Sequence, residues 1–266
     1  MKINGHIHTP FCPHGSKDPL EKYVQEALFH GFAEISFTEH APLPDGFTDP
    51  TPLRDSAMKK EDLDRYFQEI AELKEKYKGK IKINAGFEVD YIEGFEKETK
   101  DFLDTYGSRI DDAILSVHFL KFGEAYDCVD YSPEHFAKMI DKYGSVEKIY
   151  KNYYRTVLAS IRADLGTYKP KRIGHITLVH KFKKKFPPGY HDEQDILNIL
   201  HAVKEKGYSL DFNGAGTSKP LCGEAYPPLW AAKKAVSLGI PLVYGSDAHQ
   251  AKELLQGYHL LAELNC

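Results

Sequence analysis

Each end of the chain carries a pair of potential metal ligands spaced two residues apart. His6 and His8 stand near the start, and Asp247 and His249 stand near the end. Residues at i and i+2 on a β-strand point to the same face. Each pair ends or follows an apolar run of the kind that forms strands. The pattern therefore predicts that the first and last strands of the fold meet around a metal site.

Between these pairs, short apolar runs alternate with longer helical patterns, giving seven strand-then-helix units. The predicted strands are Lys2–His8, Glu34–Thr38, Ile81–Phe87, Ala113–Val117, Arg172–Ile176, Ser209–Phe212 and Pro241–Gly245. Strict alternation predicts a parallel sheet in an α/β fold. No linker or repeat interrupts it, so we expect a single domain over 1–266. Seven units fit a closed or nearly closed barrel.

A doubly wound open sheet is the alternative fold, although no G-x-G-x-x-G follows the first strand. In either fold we expect the last strand to be followed by a helix over Ala251–Leu264. Asp18 is expected to cap the first helix, ahead of Pro19. Trp230 and most other aromatic residues are expected in the core.

Composition narrows the functional classes. Lys plus Arg total 35 against 39 Asp plus Glu, a net charge of −4, which is no footprint for nucleic-acid binding. The chain has no apolar stretch long enough to span a membrane and no signal-peptide core, so we expect a cytoplasmic protein without membrane contact. The four cysteines form no C-x-x-C pair and are predicted to be free thiols: Cys12, Cys128, Cys222 and Cys266.

Potential metal ligands cluster where the predicted strands end. Ligand sites of parallel α/β folds lie at the carboxyl ends of the strands. The candidates there are His6, His8, His14, His40, Glu88, His118, His175, Asp247 and His249. A single such histidine is usually an ordinary polar residue, but nine ligands at one level predict a metal site. Imidazole and carboxylate without thiolate suit Zn, Fe or Mn. One ion takes about four or five ligands, so nine fit three divalent ions with positions open for water or substrate.

Other polar residues near the strand ends suggest supporting roles. Glu39 and Asp90 are candidates for orienting imidazoles, although Asp90 could instead meet an amine of a substrate. Asn213–Gly216 forms a loop able to bring backbone N–H groups to an anion. The run of three lysines at 183–185 is expected to be solvated. His180 has no clear assignment, and the remaining histidines are expected away from the site: His30, His135, His191, His201 and His259.

The motifs at the strand ends resemble those of the PHP (polymerase and histidinol phosphatase) superfamily. They are Gly5-His6-Ile7-His8, Thr38-Glu39-His40, Gly86-Phe87-Glu88, Ser116-Val117-His118, Gly174-His175 and Ser246-Asp247-Ala248-His249. The resemblance runs from Lys2 to about Gly257. Within the superfamily the chain is similar to the monofunctional histidinol-phosphate phosphatases. Family members often carry a further helical turn and strand beyond the last helix, so the edge near Cys266 is expected to differ.

The resemblance implies a distorted, TIM-like (β/α)7 barrel with a trinuclear metal site at the C-terminal ends of its strands. It assigns the first ion to His6, His8, Glu88 and Asp247. It makes Glu88 a bridge to a second ion held by His118 and His175, and it assigns the third ion to His14, His40 and His249. It also implies that Lys181 and Lys219, which follow strand ends, bind phosphate.

The implied reaction is hydrolysis of L-histidinol phosphate, a small phosphate monoester of histidine biosynthesis. Water held between two ions, its pKa lowered to about 7, would attack the phosphorus with no covalent intermediate. Asp247 or His249 would protonate the leaving group. The alternatives are a phosphatase for another small ester, a phosphodiesterase or nuclease on the same scaffold, and a non-catalytic metal-binding barrel. Monomer and homodimer both remain open.

Overall fold

Seven parallel strands form one curled sheet in the computed structural model, which describes residues 1–265. Over those residues the strands are β1 (Ile3–Ile7), β2 (Glu34–His40), β3 (Lys82–Asp90), β4 (Asp112–Ser116), β5 (Phe119–Phe122), β6 (Ala125–Cys128), β7 (Arg172–Ile173), β8 (Ser209–Asn213) and β9 (Leu242–Gly245). The sheet order is β1-β2-β3-β4-β7-β8-β9. The remaining two strands, β5 and β6, form an antiparallel hairpin that the sequence did not indicate.

The first and last strands meet, as the paired ligands at the two ends of the chain predict. Ile7 forms a parallel bridge with Ala248. The His8 N–H donates to the Ala248 carbonyl at 3.0 Å, and the Asp247 N–H donates to the His6 carbonyl at 2.9 Å. These contacts nearly close the sheet into a TIM-like (β/α)7 barrel. The expected fold is confirmed, and the open doubly wound alternative is wrong.

Helices surround the barrel and bury one face each against it. They are α1 (Leu20–Phe29), α2 (Leu63–Lys76), α3 (Glu96–Tyr106), α4 (Pro133–Tyr143), α5 (Val146–Arg162), α6 (Glu193–Lys206) and α7 (Leu229–Ser237). The break between α4 and α5 is built into the sequence. Gly144 adopts a φ of 90°, which ends α4, and the Ser145 hydroxyl then accepts from the Lys148 N–H to cap α5.

The segment after β9 is not the helix expected over Ala251–Leu264. It forms two 3-10 segments instead, Ala251–Glu253 and Tyr258–Asn265. Gly257 lies between them with a φ of 65°, and a Cβ there would stand 2.7 Å from the Gly214 Cα. This close approach to the loop after β8 requires a left-handed turn that an α-helix cannot contain.

Smaller expectations also failed. Asp18 does not cap α1, because its carboxylate accepts from the Ala251 N–H and so ties α1 to the segment after β9. Trp230, expected in the core, is 40% exposed on α7. The strand predicted over Arg172–Ile176 is only two residues long, Arg172–Ile173, and the chain turns at Ile176 and Thr177, directly after His175.

Free thiols were predicted for all four cysteines. Cys12, Cys128 and Cys222 are free and buried, and Cys266 lies outside the described residues. No helix formed by residues 1–265 combines the length and the apolar character that a membrane crossing requires. The cytoplasmic location stays a prediction.

Candidate active site

Glu88 stands at the centre of the rim formed by the carboxyl ends of the strands. Its side chain is buried, and Oε1 accepts a hydrogen bond from the Ser116 hydroxyl at 2.6 Å and lies 2.8 Å from His175 Nε2. Oε2 faces three more imidazole nitrogens: His40 Nδ1 at 3.2 Å, His6 Nε2 at 3.4 Å and His8 Nε2 at 3.5 Å. His118 Nε2 lies 3.9 Å from Oε1, so one carboxylate contacts five imidazoles, the arrangement expected of a bridging ligand.

Asp247 reaches the same centre through an unusual backbone conformation. Its φ is 53°, in the left-handed region that non-glycine residues rarely adopt, although Asp tolerates it better than most. Its Oδ1 lies 3.0 Å from His8 Nε2 and 3.8 Å from His6 Nε2. Such strained residues persist where surrounding structure enforces them, which is common at functional sites. Here the hydrogen bonds that close the barrel hold the turn.

The electrostatics of the rim keep the carboxylates of Glu88 and Asp247 ionised. Burial raises the pKa of Glu88, but the charges of His6 and His118 outweigh burial and hold that pKa well below its usual value. The pKa of Asp247 is likewise lowered, because His6 and His8 outweigh its burial. Carboxylate ligands must be ionised to coordinate a metal, so this environment favours the coordinating form.

Two imidazoles of the rim are held neutral. Burial lowers the pKa of His40 well below its usual value, and the neighbouring His8 lowers it further. The same two causes, burial first, lower the pKa of His249. Neutral imidazole is the form that binds metals.

Unpartnered nitrogen atoms show that these residues fit metal ions. Buried polar atoms in proteins are nearly always hydrogen-bonded. Among the described residues, five imidazole nitrogens of the rim are buried without a hydrogen-bond partner: His6 Nε2, His8 Nε2, His40 Nδ1, His175 Nδ1 and His249 Nε2. All belong to side chains predicted to be ligands. Metal coordination would satisfy them, and hydrogen bonding within the protein does not.

The potential ligand atoms fall into several groups, each with its members within 4.8 Å of one another. Three match the predicted sets in outline: His6, His8 and Asp247; Glu88, His118 and His175; and His14, His40 and His249, with Cys12. Two further groups overlap these through His40, so the rim has room for more than one divalent ion. Glu88 reaches His6 and His8 as the first set requires. The thiol of Cys12 was not expected at the site, because the sequence interpretation counted only imidazole and carboxylate ligands.

Buried carboxylates orient several of the imidazoles. Glu39 Oε1 lies 3.1 Å from His8 Nδ1, and Asp90 Oδ1 lies 2.8 Å from His118 Nδ1. Asp90 therefore takes the orienting role that the sequence left open against contact with an amine. A third carboxylate, Asp211, lies 2.7 Å from His6 Nδ1. Such partners fix the tautomer and direct the opposite nitrogen at the metal.

Sequence reasoning missed Asp211, although a signal was present. Asp211 is an acid between two apolar residues in β8, and it is fully buried. A buried acid inside a strand requires a partner. The partner, His6, is 205 residues away, so only the closed barrel reveals the pair.

A cavity of about 380 Å³ opens over the rim and contains both predicted phosphate-binding lysines, Lys181 and Lys219, in its wall. Lys181 Nζ donates to Asp130 Oδ2 at 2.8 Å. Burial lowers the pKa of Lys181, but the Asp130 charge outweighs burial and raises it. Lys181 is thus a fixed cation on the wall of the cavity.

The neighbouring loops differ from the sequence expectations in two details. Lys183, expected in a solvated run, forms an ion pair with Glu224. In the Asn213–Gly216 loop, the Gly214 N–H donates to the Gly245 carbonyl and the Ala215 N–H donates to the Asn213 side chain. Those two N–H groups are therefore not free to bind an anion.

Comparison with known proteins places the chain in a family. The family model of the PHP domain matches residues 4–215. The chain belongs to the PHP family. This confirms the resemblance drawn from the strand-end motifs.

PHP relatives match the chain over nearly its whole length. It is 52% identical to the histidinol-phosphatase of Bacillus subtilis (strain 168), with 99% of each chain covered. It resembles the crystal structure of hisK from Listeria monocytogenes with a TM-score of 0.93 and 41% identity, covering 97% of this chain and 99% of that one.

A more distant solved structure supports the fold. The histidinol phosphate phosphatase of Lactococcus lactis, solved with zinc, L-histidinol and phosphate, matches with a TM-score of 0.72 and 22% identity. The match covers 99% of this chain and 93% of that one.

Proposed function

We propose that this PHP-family protein is a metal-dependent histidinol-phosphatase. It hydrolyses L-histidinol phosphate to L-histidinol and phosphate, a step of histidine biosynthesis, within one domain of residues 1–266. The observation that carries the proposal is the 52% identity to the Bacillus subtilis histidinol-phosphatase over 99% of both chains. The rim described above supplies the chemistry such an enzyme needs.

The nine predicted ligands divide among three divalent ions. His6, His8, Glu88 and Asp247 would hold the first, Glu88 with His118 and His175 the second, and His14, His40 and His249 the third. Divalent ions supply an acidified water and positive charge against the phosphoryl oxygens, the two things that hydrolysis of a phosphate ester needs most. Zn, Fe and Mn all suit this donor set.

The remaining residues bind the phosphate and manage protons. Lys181 and Lys219 are assigned to the phosphate oxygens, because both side chains line the cavity above the rim. Asp130 supports Lys181 through their 2.8 Å hydrogen bond. Asp247 or His249, which also line the cavity, would take up the proton that the attacking water loses and pass it to the leaving alkoxide. Glu88 would be the ligand shared by the first two ions.

A small-molecule substrate suits the cavity better than a polymer does. About 380 Å³ lies within the range of small-ligand pockets, roughly 300 to 1,000 Å³. A nuclease needs a positive surface for the phosphate backbone, and the net charge of −4 offers none overall. We therefore assign no nucleic-acid partner.

Phosphate release tests the proposal directly. Protein loaded with Mn or Zn is assayed with L-histidinol phosphate, a dinucleotide phosphodiester and a generic aryl phosphate, each beside an EDTA-treated sample. We expect strong, metal-dependent turnover of L-histidinol phosphate alone. Turnover of the diester with none of L-histidinol phosphate would move the protein to the phosphodiesterase branch of the family.

A further inference from the structure

His180 lies in a buried polar cluster beside the cavity. Its side chain is almost fully buried, with Nδ1 2.8 Å from Glu224 Oε1 and Nε2 2.7 Å from Asp192 Oδ2. The Tyr154 hydroxyl lies 2.9 Å from the same Nε2, and the Tyr150 ring stacks against the imidazole with centroids 5.5 Å apart. Packing alone does not require a buried histidine to bond two carboxylates.

The two carboxylates define what the ring must do. Ionised carboxylates only accept hydrogen bonds, so both ring nitrogens must donate, which requires the imidazolium form. Burial lowers the pKa of His180, but the hydrogen bonds to Asp192 and Glu224 outweigh burial and raise it. The same bonds lower the pKa of both carboxyl groups against their burial. The cluster is therefore a charge-assisted unit in which each member depends on the others.

The three members of this unit come from different parts of the chain. His180 lies in the 3-10 segment Leu178–Phe182, which follows β7. Asp192 directly precedes α6, and Glu224 lies in the loop between β8 and α7. One imidazole ring thus joins the loop after β7 to the loop after β8 and anchors both to the start of a helix.

These two loops carry the two lysines of the cavity. Lys181 is the next residue after His180, and Lys219 stands in the same loop as Glu224. The Lys184 N–H donates to the Leu221 carbonyl at 3.0 Å, and Lys183 pairs with Glu224, so the loops are joined at several points around the imidazole. His180 itself is not among the residues that line the cavity.

We propose that His180 is a positioning residue for phosphate binding, which holds Lys181 and Lys219 at a fixed separation by bonding both of their loops. The inference rests on the proposed function, because it takes the two lysines as the phosphate ligands. Long lysine side chains on unconnected loops would lose much of their binding energy to ordering. The bonds of His180 order both loops before the substrate binds, so less binding free energy is lost to ordering the lysines.

The test separates the phosphate from the rest of the substrate. Inorganic phosphate and L-histidinol are titrated separately into the metal-loaded protein by calorimetry, a measurement that does not need turnover. For His180→Phe we expect phosphate affinity to fall by about 10- to 100-fold, since small misplacements of binding groups cost up to about 100-fold. Affinity for L-histidinol and metal content should stay unchanged. In turnover, KM should rise more than kcat falls.

Further variants keep the test decisive if His180→Phe folds poorly. His180→Gln retains one donor and should recover part of the phosphate affinity, and Glu224→Gln should weaken it by leaving the ring with one charged partner. His135→Gln is the matched control, a half-buried histidine on α4 that lies 3.6 Å from a carboxylate oxygen of Asp127. It should leave phosphate affinity unchanged.

Three results would overturn the proposal. Phosphate affinity equal to wild type in all His180 and Glu224 variants would do so. Equal loss of phosphate and L-histidinol affinity would reduce His180 to a structural residue. Unchanged phosphate affinity in Lys181→Met would show that Lys181 does not bind phosphate, so His180 could not act through it. Failure of the wild type to hydrolyse L-histidinol phosphate is a separate result, which would reject the proposed substrate and not the link.

Discussion

The two rims of the barrel treat buried polar groups in opposite ways. At the rim opposite the cavity, Lys169 Nζ donates to the carbonyls of Ser160, Ile161 and Ala163 at 2.7–2.8 Å, and so closes the end of α5. Arg172 Nη2 donates to the Gly5 carbonyl and to Asp112, although Arg172 Nε is buried without a hydrogen-bond partner within residues 1–265. At the cavity rim, five buried imidazole nitrogens have no partner among the described residues. Buried polar groups that the protein itself hydrogen-bonds stabilise the fold, whereas buried polar groups without a protein partner indicate a ligand site.

The largest effect should come from the centre of the cavity rim. Glu88→Gln keeps the shape of the side chain but removes the charge shared by five imidazoles. We expect turnover to fall by on the order of 10³-fold or more, equivalent to several kcal/mol of lost transition-state stabilisation. Steady-state kinetics with elemental analysis checks this. Near wild-type turnover with full metal content would show that Glu88 is not an essential metal ligand.

Lys181→Met tests the wall of the cavity. Loss of a charge-assisted hydrogen bond to phosphate should lower kcat/KM by about 10- to 100-fold. Lys185→Met is the control, since Lys185 is an exposed lysine on the same loop with only a distant acidic neighbour, Glu134 at 3.9 Å. Equal kinetics for the two variants would contradict the assignment of Lys181 to phosphate.

Asp211→Asn tests the orienting residues behind the rim. The change preserves the fit of the side chain but removes the charge that fixes His6. We expect metal affinity to fall by about 10- to 100-fold, the usual effect of losing such a partner, and turnover at saturating metal to fall less. Competition with a chelating dye measures the affinity. Unaltered affinity would show that the closed barrel alone orients His6.

Lys169→Met should leave turnover per folded molecule unchanged and lower stability by roughly 1–2 kcal/mol, because three carbonyls at the end of α5 lose their donor. Burial lowers the pKa of Lys169 to about 8, below the ordinary value of 10.5. Between these values the unfolded chain binds more protons, so the contribution of Lys169 should increase as pH rises from 8.

Denaturant unfolding of wild type and Lys169→Met at pH 7 and pH 9.5 measures this contribution, because other titrations cancel in the difference. A stability gap that narrows at the higher pH would contradict the sign. A loss of turnover would show that the two rims are coupled.

Strand positions and the predicted ligands were accessible from sequence because both depend on local spacing. His6 and His8 were placed together by the period of a strand, and the two ends of the chain by their matching pairs. The cavity lysines followed from family resemblance. In each case a short stretch of sequence contained the information.

Features that depend on distant contacts were not accessible. Asp211 was missed because its partner comes from the other end of the chain, and Cys12 because a lone cysteine near a strand has no spacing signal. The helix expected after β9 fails because Gly257 must approach Gly214, a constraint no helical period reveals. The role of His180 could not be predicted for the same reason, because two separate loops bring Asp192 and Glu224 to it.

The closure between His8 and Ala248 also has a consequence for synthesis on the ribosome. β1 emerges first of the strands, and its free edge stays unpaired until the segment after β9 arrives, an interval in which an exposed edge invites association with other chains. Asp247 and His249 emerge after all the other predicted ligands. A chain released before Asp247 and His249 are synthesised has an open sheet and lacks the last two of the nine predicted ligands.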